Sequence, residues 1–187
     1  MKKRDVILIA VAIISLLADA WFADRVGAYS YRNSAELAVS GYFILYLDGL
    51  IHECGHAIAG IRFGARLDAF RLGVGPKLLS FASARAGSAE FSLHILPFGG
   101  RVDFNVLPVS RTQRIWIFAA GVCSVLFAAV FAWIIMPSRF ELLRNEAVLI
   151  FVVSSATNIF YSTSRKVREQ EGVYSDGQAI RGLLRYR

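Results

Sequence analysis

The chain has 187 residues, enough for one domain with a sizeable core and short for two. Hydrophobic residues make up 56% and charged residues 19%, which argues against an ordinary soluble domain and for a membrane protein in contact with a lipid bilayer. The net charge of +7 would suit a nucleic-acid binder, but the basic residues gather in a few inter-segment stretches, as in loops facing a cytoplasmic leaflet, so no nucleic-acid partner is expected.

In chain order, residues 6–22 form a first apolar segment behind Met1, Lys2, Lys3 and Arg4. Ala18-Asp19-Ala20 also fits a signal-peptide cleavage site, but the apolar run continues through Trp21 and Phe22, so a retained anchor is expected. A second segment covers residues 37–61. Residues 66–104 then read as a loop region with short strands at 68–72, 77–82 and 90–96. Gly73-Val74-Gly75-Pro76 and Arg85-Ala86-Gly87-Ser88 supply the turns, and the expected product is a small sheet on the cytoplasmic side of the membrane.

Residues 115–136 are long enough to cross a hydrocarbon core of about 30 Å. The last apolar run, 147–161, is shorter than the roughly 20 residues of a full span. It holds Ser154, Ser155, Thr157 and Asn158, and within the region 147–187 a broken helix is expected. The fold class is therefore membrane α-helical, with about four transmembrane segments and the sheet between the second and third. All of it forms a single domain over residues 1–187. Between segments two and three, Arg62, Arg66, Arg71, Lys77, Arg85, Arg101, Arg111 and Arg114 face only Asp68, Glu90 and Asp103. More basic residues follow segment four. That bias places both termini and the middle loop in the cytoplasm.

The second segment carries the chemistry. His52 and His56 are four residues apart and share one helix face, so both imidazoles can reach one ion. Glu53 follows the first histidine, near enough to serve as a general base without being a ligand. This H-E-x-x-H pattern means zinc plus base. Ionisable groups at membrane depth are costly and usually functional, which weakens the alternative of satisfied core histidines. Asp48, one turn before His52, could orient an imidazole from behind or pair with a basic residue of a neighbouring helix. A catalytic zinc typically has three protein ligands and one open position. His94 lies in a predicted strand, where a plain strand role is the better reading. Asp176 is the better third-ligand candidate if the broken fourth segment folds back, and otherwise belongs to an ordinary turn in which Ser175 caps the following helix. Cys54 diverges in direction from the two histidines, and neither it nor Cys123 belongs to a disulfide framework.

These residues resemble the site-2 protease family, zinc metalloproteases that cut substrate helices within the membrane. His52-Glu53-Cys54-Gly55-His56 is similar to the family's zinc helix, and the stretch from Ile95 to Val102, with Pro97-Phe98-Gly99-Gly100, is similar to its strand and Gly-Gly loop. Asn158 followed by Asp176-Gly177 resembles the segment supplying the third ligand. The resemblance implies Zn2+ held by His52, His56 and Asp176, with Glu53 catalytic and Asn158, Gly99 and Gly100 facing a membrane-protein substrate helix. The third segment reads Ala120-Gly121-Val122-Cys123-Ser124 where the family often has Gly-Pro and an asparagine. A charged insert, residues 164–171, separates Asn158 from Asp176. An extended substrate segment could pair along residues 90–96 by strand addition. The competing readings are a non-catalytic zinc-binding membrane scaffold and a small transporter subunit with a protonatable cluster.

Overall fold

The structure is a computed structural model in which residues 31–83, 89–164 and 180 are described. The first anchor (6–22), Asp176 and the charged insert beyond Ser164 lie outside the described residues. Helix α1 spans Tyr31–Arg62, strand β1 Arg66–Ser83, strand β2 Ala89–Val106, helix α2 Arg111–Ile135 and helix α3 Glu141–Ser164, the last preceded by a 3-10 turn at Ser138–Phe140. Contacts divide the chain between Phe43 and Ile44. Of the first unit, the start of α1 is described; the core, the sheet and the candidate site all belong to the second.

Helix α2 shows most directly how sequence becomes packing. Ser110 enters it in an extended conformation, and Met136 ends it just before Pro137, whose ring cannot continue a helix. Its buried residues are Ile117, Gly121, Val125 and Ala129, every fourth position and hence one face. Two of the four are Gly or Ala, which lets neighbouring helices approach closely. Val125 and Ala129 join Ile44 of α1 and Ala147 and Phe151 of α3 in the core. Phe127, Val130, Phe131 and Ile134 are exposed, an apolar outer surface suited to lipid. At 25 residues, α2 is the one helix among the described residues that is long and apolar enough to cross a membrane. Helix α1 is longer, at 32 residues, but Asp48, His52, Glu53 and His56 interrupt its apolar character.

The expectation of about four membrane segments is therefore met in part. The fourth apolar run lies in a continuous helix of 24 residues that extends beyond it at both ends; the break expected within 147–187 is not found up to Ser164, after which residues 165–179 lie outside the described ones. Helix propagation does not require apolar residues, and the polar residues ahead of the apolar run extend it. Glu141 sits in the first turn, where the helix dipole favours an acid. Arg144 lies over the Trp133 ring, 4.6 Å from its centroid, a cation–π contact that ties α3 to the end of α2.

The three expected strands are two long ones, paired antiparallel. Each bends at glycine, so the pairings fall into three runs. Residues 66–72 pair with 100–106, residues 77–83 pair with 89–94, and Ala69, Phe70, Leu72 and Val74 also align with Glu90, Phe91, Leu93 and Leu96. The bends need glycine: Gly73 has φ +79 and Gly99 φ +74, a region costly for other residues. A β-carbon at Gly73 would also lie 2.5 Å from the Leu96 carbonyl oxygen. Residues 90–93 are thus flanked on both sides, so the expected strand addition along 90–96 is corrected for that part, which has no unpaired edge. Residues 100–106 pair on one side only among the described residues. His94 has the plain strand role, with Nδ1 at 2.7 Å from the Gly75 carbonyl and its own carbonyl accepting from the Tyr46 hydroxyl.

Candidate metal centre

The zinc-helix pattern lies in the second half of α1, where its face packs against α2. His52, Glu53 and His56 are all buried, at 8%, 6% and 6% exposure. The two Nε2 atoms are 3.1 Å apart, and the rings meet edge to face at 83°. Two nitrogens each about 2.0–2.1 Å from one ion would subtend roughly 100° across that gap, close to tetrahedral. The same separation suits a hydrogen bond between neutral imidazoles, so a second observation is needed to choose. His56 Nδ1 is 2.7 Å from the Ile117 carbonyl oxygen. A carbonyl only accepts, so Nδ1 carries the proton and the Nε2 lone pair is turned toward His52. Anchoring the far nitrogen in this way is the usual support of a metal-binding histidine.

The helices meet closely because of Gly55. A β-carbon there would fall 2.6 Å from the Ala120 carbonyl oxygen and 2.5 Å from Ser124 Oγ. Ser124 in turn donates to the Ile51 carbonyl at 2.9 Å, a side-chain bond from α2 to the backbone of α1. The glycine in His-Glu-Cys-Gly-His is thus a packing requirement of the α1–α2 seam.

Glu53 is covered by the bent end of β2. A β-carbon at Gly100 would lie 2.5 Å from Glu53 Cγ and 2.7 Å from Oε1, so only a glycine lets the strand backbone close over this carboxylate. The structure therefore brings His52, Glu53, His56 and Gly100 together. Gly99 is exposed beside them. Asp48 is buried one turn before His52, and its Oδ2 accepts a hydrogen bond from Ser154 Oγ of α3 at 2.7 Å. Asn158, one turn further along α3, is exposed. Among the described residues no group of three or more His, Cys, Asp or Glu could hold a metal ion; Asp176, expected as the third ligand, lies outside them. Cys54 and Cys123 are free thiols.

Sequence reasoning missed Ile117 and Ser154 as parts of the site. Ile117 contributes a backbone carbonyl, which leaves no trace in residue type. Ser154 was visible as a polar residue in an apolar run, but its partner was not.

Comparison with known proteins agrees with this geometry. The family model for peptidase family M50 matches residues 40–178. A Clostridium perfringens protein named "Putative zinc metalloprotease" is 33% identical over 123 residues, covering 59% of this chain and 35% of that protein. Proteins of the same description from Agrobacterium fabrum and Chlamydia trachomatis are 39% identical over 71 residues and 28% over 107, covering 35% and 45% of this chain. The matched part of this chain spans about a third of the first relative and under a fifth of the other two. The match extends well beyond the zinc helix, across the sheet, α2 and α3, and with it the chain belongs to peptidase family M50, the site-2 protease family.

Proposed function

We propose that the chain is a zinc-dependent endopeptidase that hydrolyses peptide bonds of membrane-spanning substrates within the bilayer. The observation that supports this best is the convergence of the two Nε2 atoms, 3.1 Å apart, beside the buried Glu53. His52 and His56 fit zinc as a ligand pair, and Asp176 would complete the protein ligands. Zinc, when bound, would polarise a scissile carbonyl and acidify a water at neutral pH. Glu53 takes the proton from the attacking water and delivers it to the amine nitrogen as the peptide bond breaks. Burial of that carboxylate under the Gly100 backbone keeps bulk water from competing for the proton.

The substrate's own helix must open first, because its hydrogen bonds shield the carbonyls. Gly100, which lies next to Glu53, begins the one-sided edge of residues 100–106, and that edge can hold an extended segment by backbone hydrogen bonds, with Gly99 and Gly100 giving close approach. Asn158, exposed on α3, would contact the substrate in this reading. Asp48, through Ser154, steadies the helix that carries His52. The chain works as an integral protein of the cell membrane, with both termini cytoplasmic and a membrane-protein helix as its substrate.

The test is cleavage of a labelled single-span substrate in vesicles by the purified chain, before and after zinc removal with a chelator and after zinc is restored. The proposal expects cleavage to vanish and return with zinc. Cleavage indifferent to chelation would overturn it, and ion flux indifferent to chelation would favour the transporter reading. A fully zinc-loaded chain that never cleaves would favour the scaffold.

A further inference from the structure

We infer that Gly121 of α2 is a positioning residue for the metal centre: by carrying no side chain, it keeps clear the edge of His56 from which an ion is bound. The inference rests on the zinc reading above. A β-carbon at position 121 would lie 2.4 Å from His56 Nε2, 2.5 Å from His56 Cε1 and 2.9 Å from His52 Cε1. Carbon makes favourable contact only at about 3.5–4.0 Å, so such an atom would drive into both rings.

His56 has little freedom to retreat. Its Nδ1 is held by the Ile117 carbonyl at 2.7 Å, and Ile117 is one turn before Gly121 on the same helix. A single turn of α2 therefore fixes the far nitrogen of His56 and clears space at the near one. The backbone does not explain this glycine. Gly121 is in mid-helix and is not among the positive-φ glycines, and at such a position alanine is ordinarily the better helix former. Helix contact does not explain it either. The nearest atoms at Gly55 are backbone and hydroxyl atoms of α2, whereas those at Gly121 all belong to the two imidazoles.

The test uses the full chain in lipid nanodiscs. Zinc affinity is read by competition with a chromophoric chelator, and ligand geometry from the visible spectrum of the cobalt-substituted protein. Gly121→Ala should weaken zinc binding by about 10–100-fold, the range for lost support of a metal ligand, and should change the cobalt spectrum. In the metal-free chain it should lower the melting temperature. In a His56→Ala background the same substitution should raise it, because the two closest contacts are gone, the His52 edge at 2.9 Å can turn into the space that His56 leaves, and alanine favours the helix. If Gly121→Ala alone does not fold, the double variant should. Wild-type zinc affinity with an unchanged cobalt spectrum in Gly121→Ala would overturn the inference, as would a double variant that remains unfolded or is further destabilised. If the wild-type chain takes up no zinc, the zinc reading falls, while the melting comparison still decides whether His56 is what Gly121 accommodates.

Discussion

Replacing Ser154 with alanine should loosen α3 from the zinc helix by a measurable amount. The Ser154 hydroxyl donates to Asp48 Oδ2 at 2.7 Å across the two helices. Asp48 is only 7% exposed, and its other oxygen, Oδ1, has no hydrogen-bond partner among the described residues. Deleting the hydroxyl therefore removes the bond recorded for this carboxylate and gives it no water in return. Hydrogen bonds to charged groups in water-soluble proteins contribute about 1.5–3 kcal/mol. Interhelical bonds in bilayers average nearer 0.6 kcal/mol, with a maximum of about 1.7, because the unfolded helices also find partners in the membrane. The burial of Asp48 puts this pair at the upper end of the bilayer range, about 1–1.7 kcal/mol. The assay is reversible unfolding in bicelles for the wild type, Ser154→Ala, Asp48→Asn and the double variant. The neutral amide costs less to leave unpaired, so the double variant should be less destabilised than the sum of the singles. A Ser154→Ala protein as stable as wild type, or strict additivity, would refute the pairing as an energetic link.

Gly55→Ala should destabilise the chain, although alanine for glycine in a helix usually stabilises by roughly 1 kcal/mol. Its β-carbon meets the Ala120 carbonyl at 2.6 Å, and backbone yields only if α1 moves off α2, so a loss of about 1–3 kcal/mol in the same unfolding assay is expected. On the hairpin, the hydrogen bond from Lys77 Nζ at 2.9 Å, aided by one from Ser80, holds the Glu90 carboxyl below its ordinary value. A depressed carboxyl contributes stability above its ordinary pKa and loses it as pH falls through the lower folded value. Lys77→Met should therefore move the Glu90 titration upward, as seen by carbon NMR of the side chain. The pair is exposed, so the melting temperature at neutral pH should stay within error.

The zinc helix was the most legible part of the sequence, since i, i+4 spacing fixes which side chains share a face and the structure keeps His52 and His56 together. The third segment was legible for a different reason: α2 is apolar over almost its whole length. The sheet was legible as strand-forming residues between turns, but not in its register. Gly73 and Gly99 are bends inside long strands, and a turn signal does not distinguish a bend from an end. Helix α3 was underestimated because its first turns are polar and are held by Glu141 and Arg144 rather than by burial. The contacts that shape the site come from residues far apart in the chain: the carbonyl of Ile117, the hydroxyl of Ser154 and the bare backbone of Gly100. None of these has a periodicity, and only the fold brings them to α1.

The central claim is that the zinc helix hydrolyses peptide bonds with Glu53 as its base. The most direct measurement is turnover of a reconstituted transmembrane substrate by Glu53→Gln protein whose zinc content equals that of the wild type. The amide keeps the shape of the side chain and cannot accept the proton, so turnover should fall by at least the roughly 10²–10⁴-fold ascribed to a general base. Cleavage at or near the wild-type rate, with zinc still bound, would contradict the account.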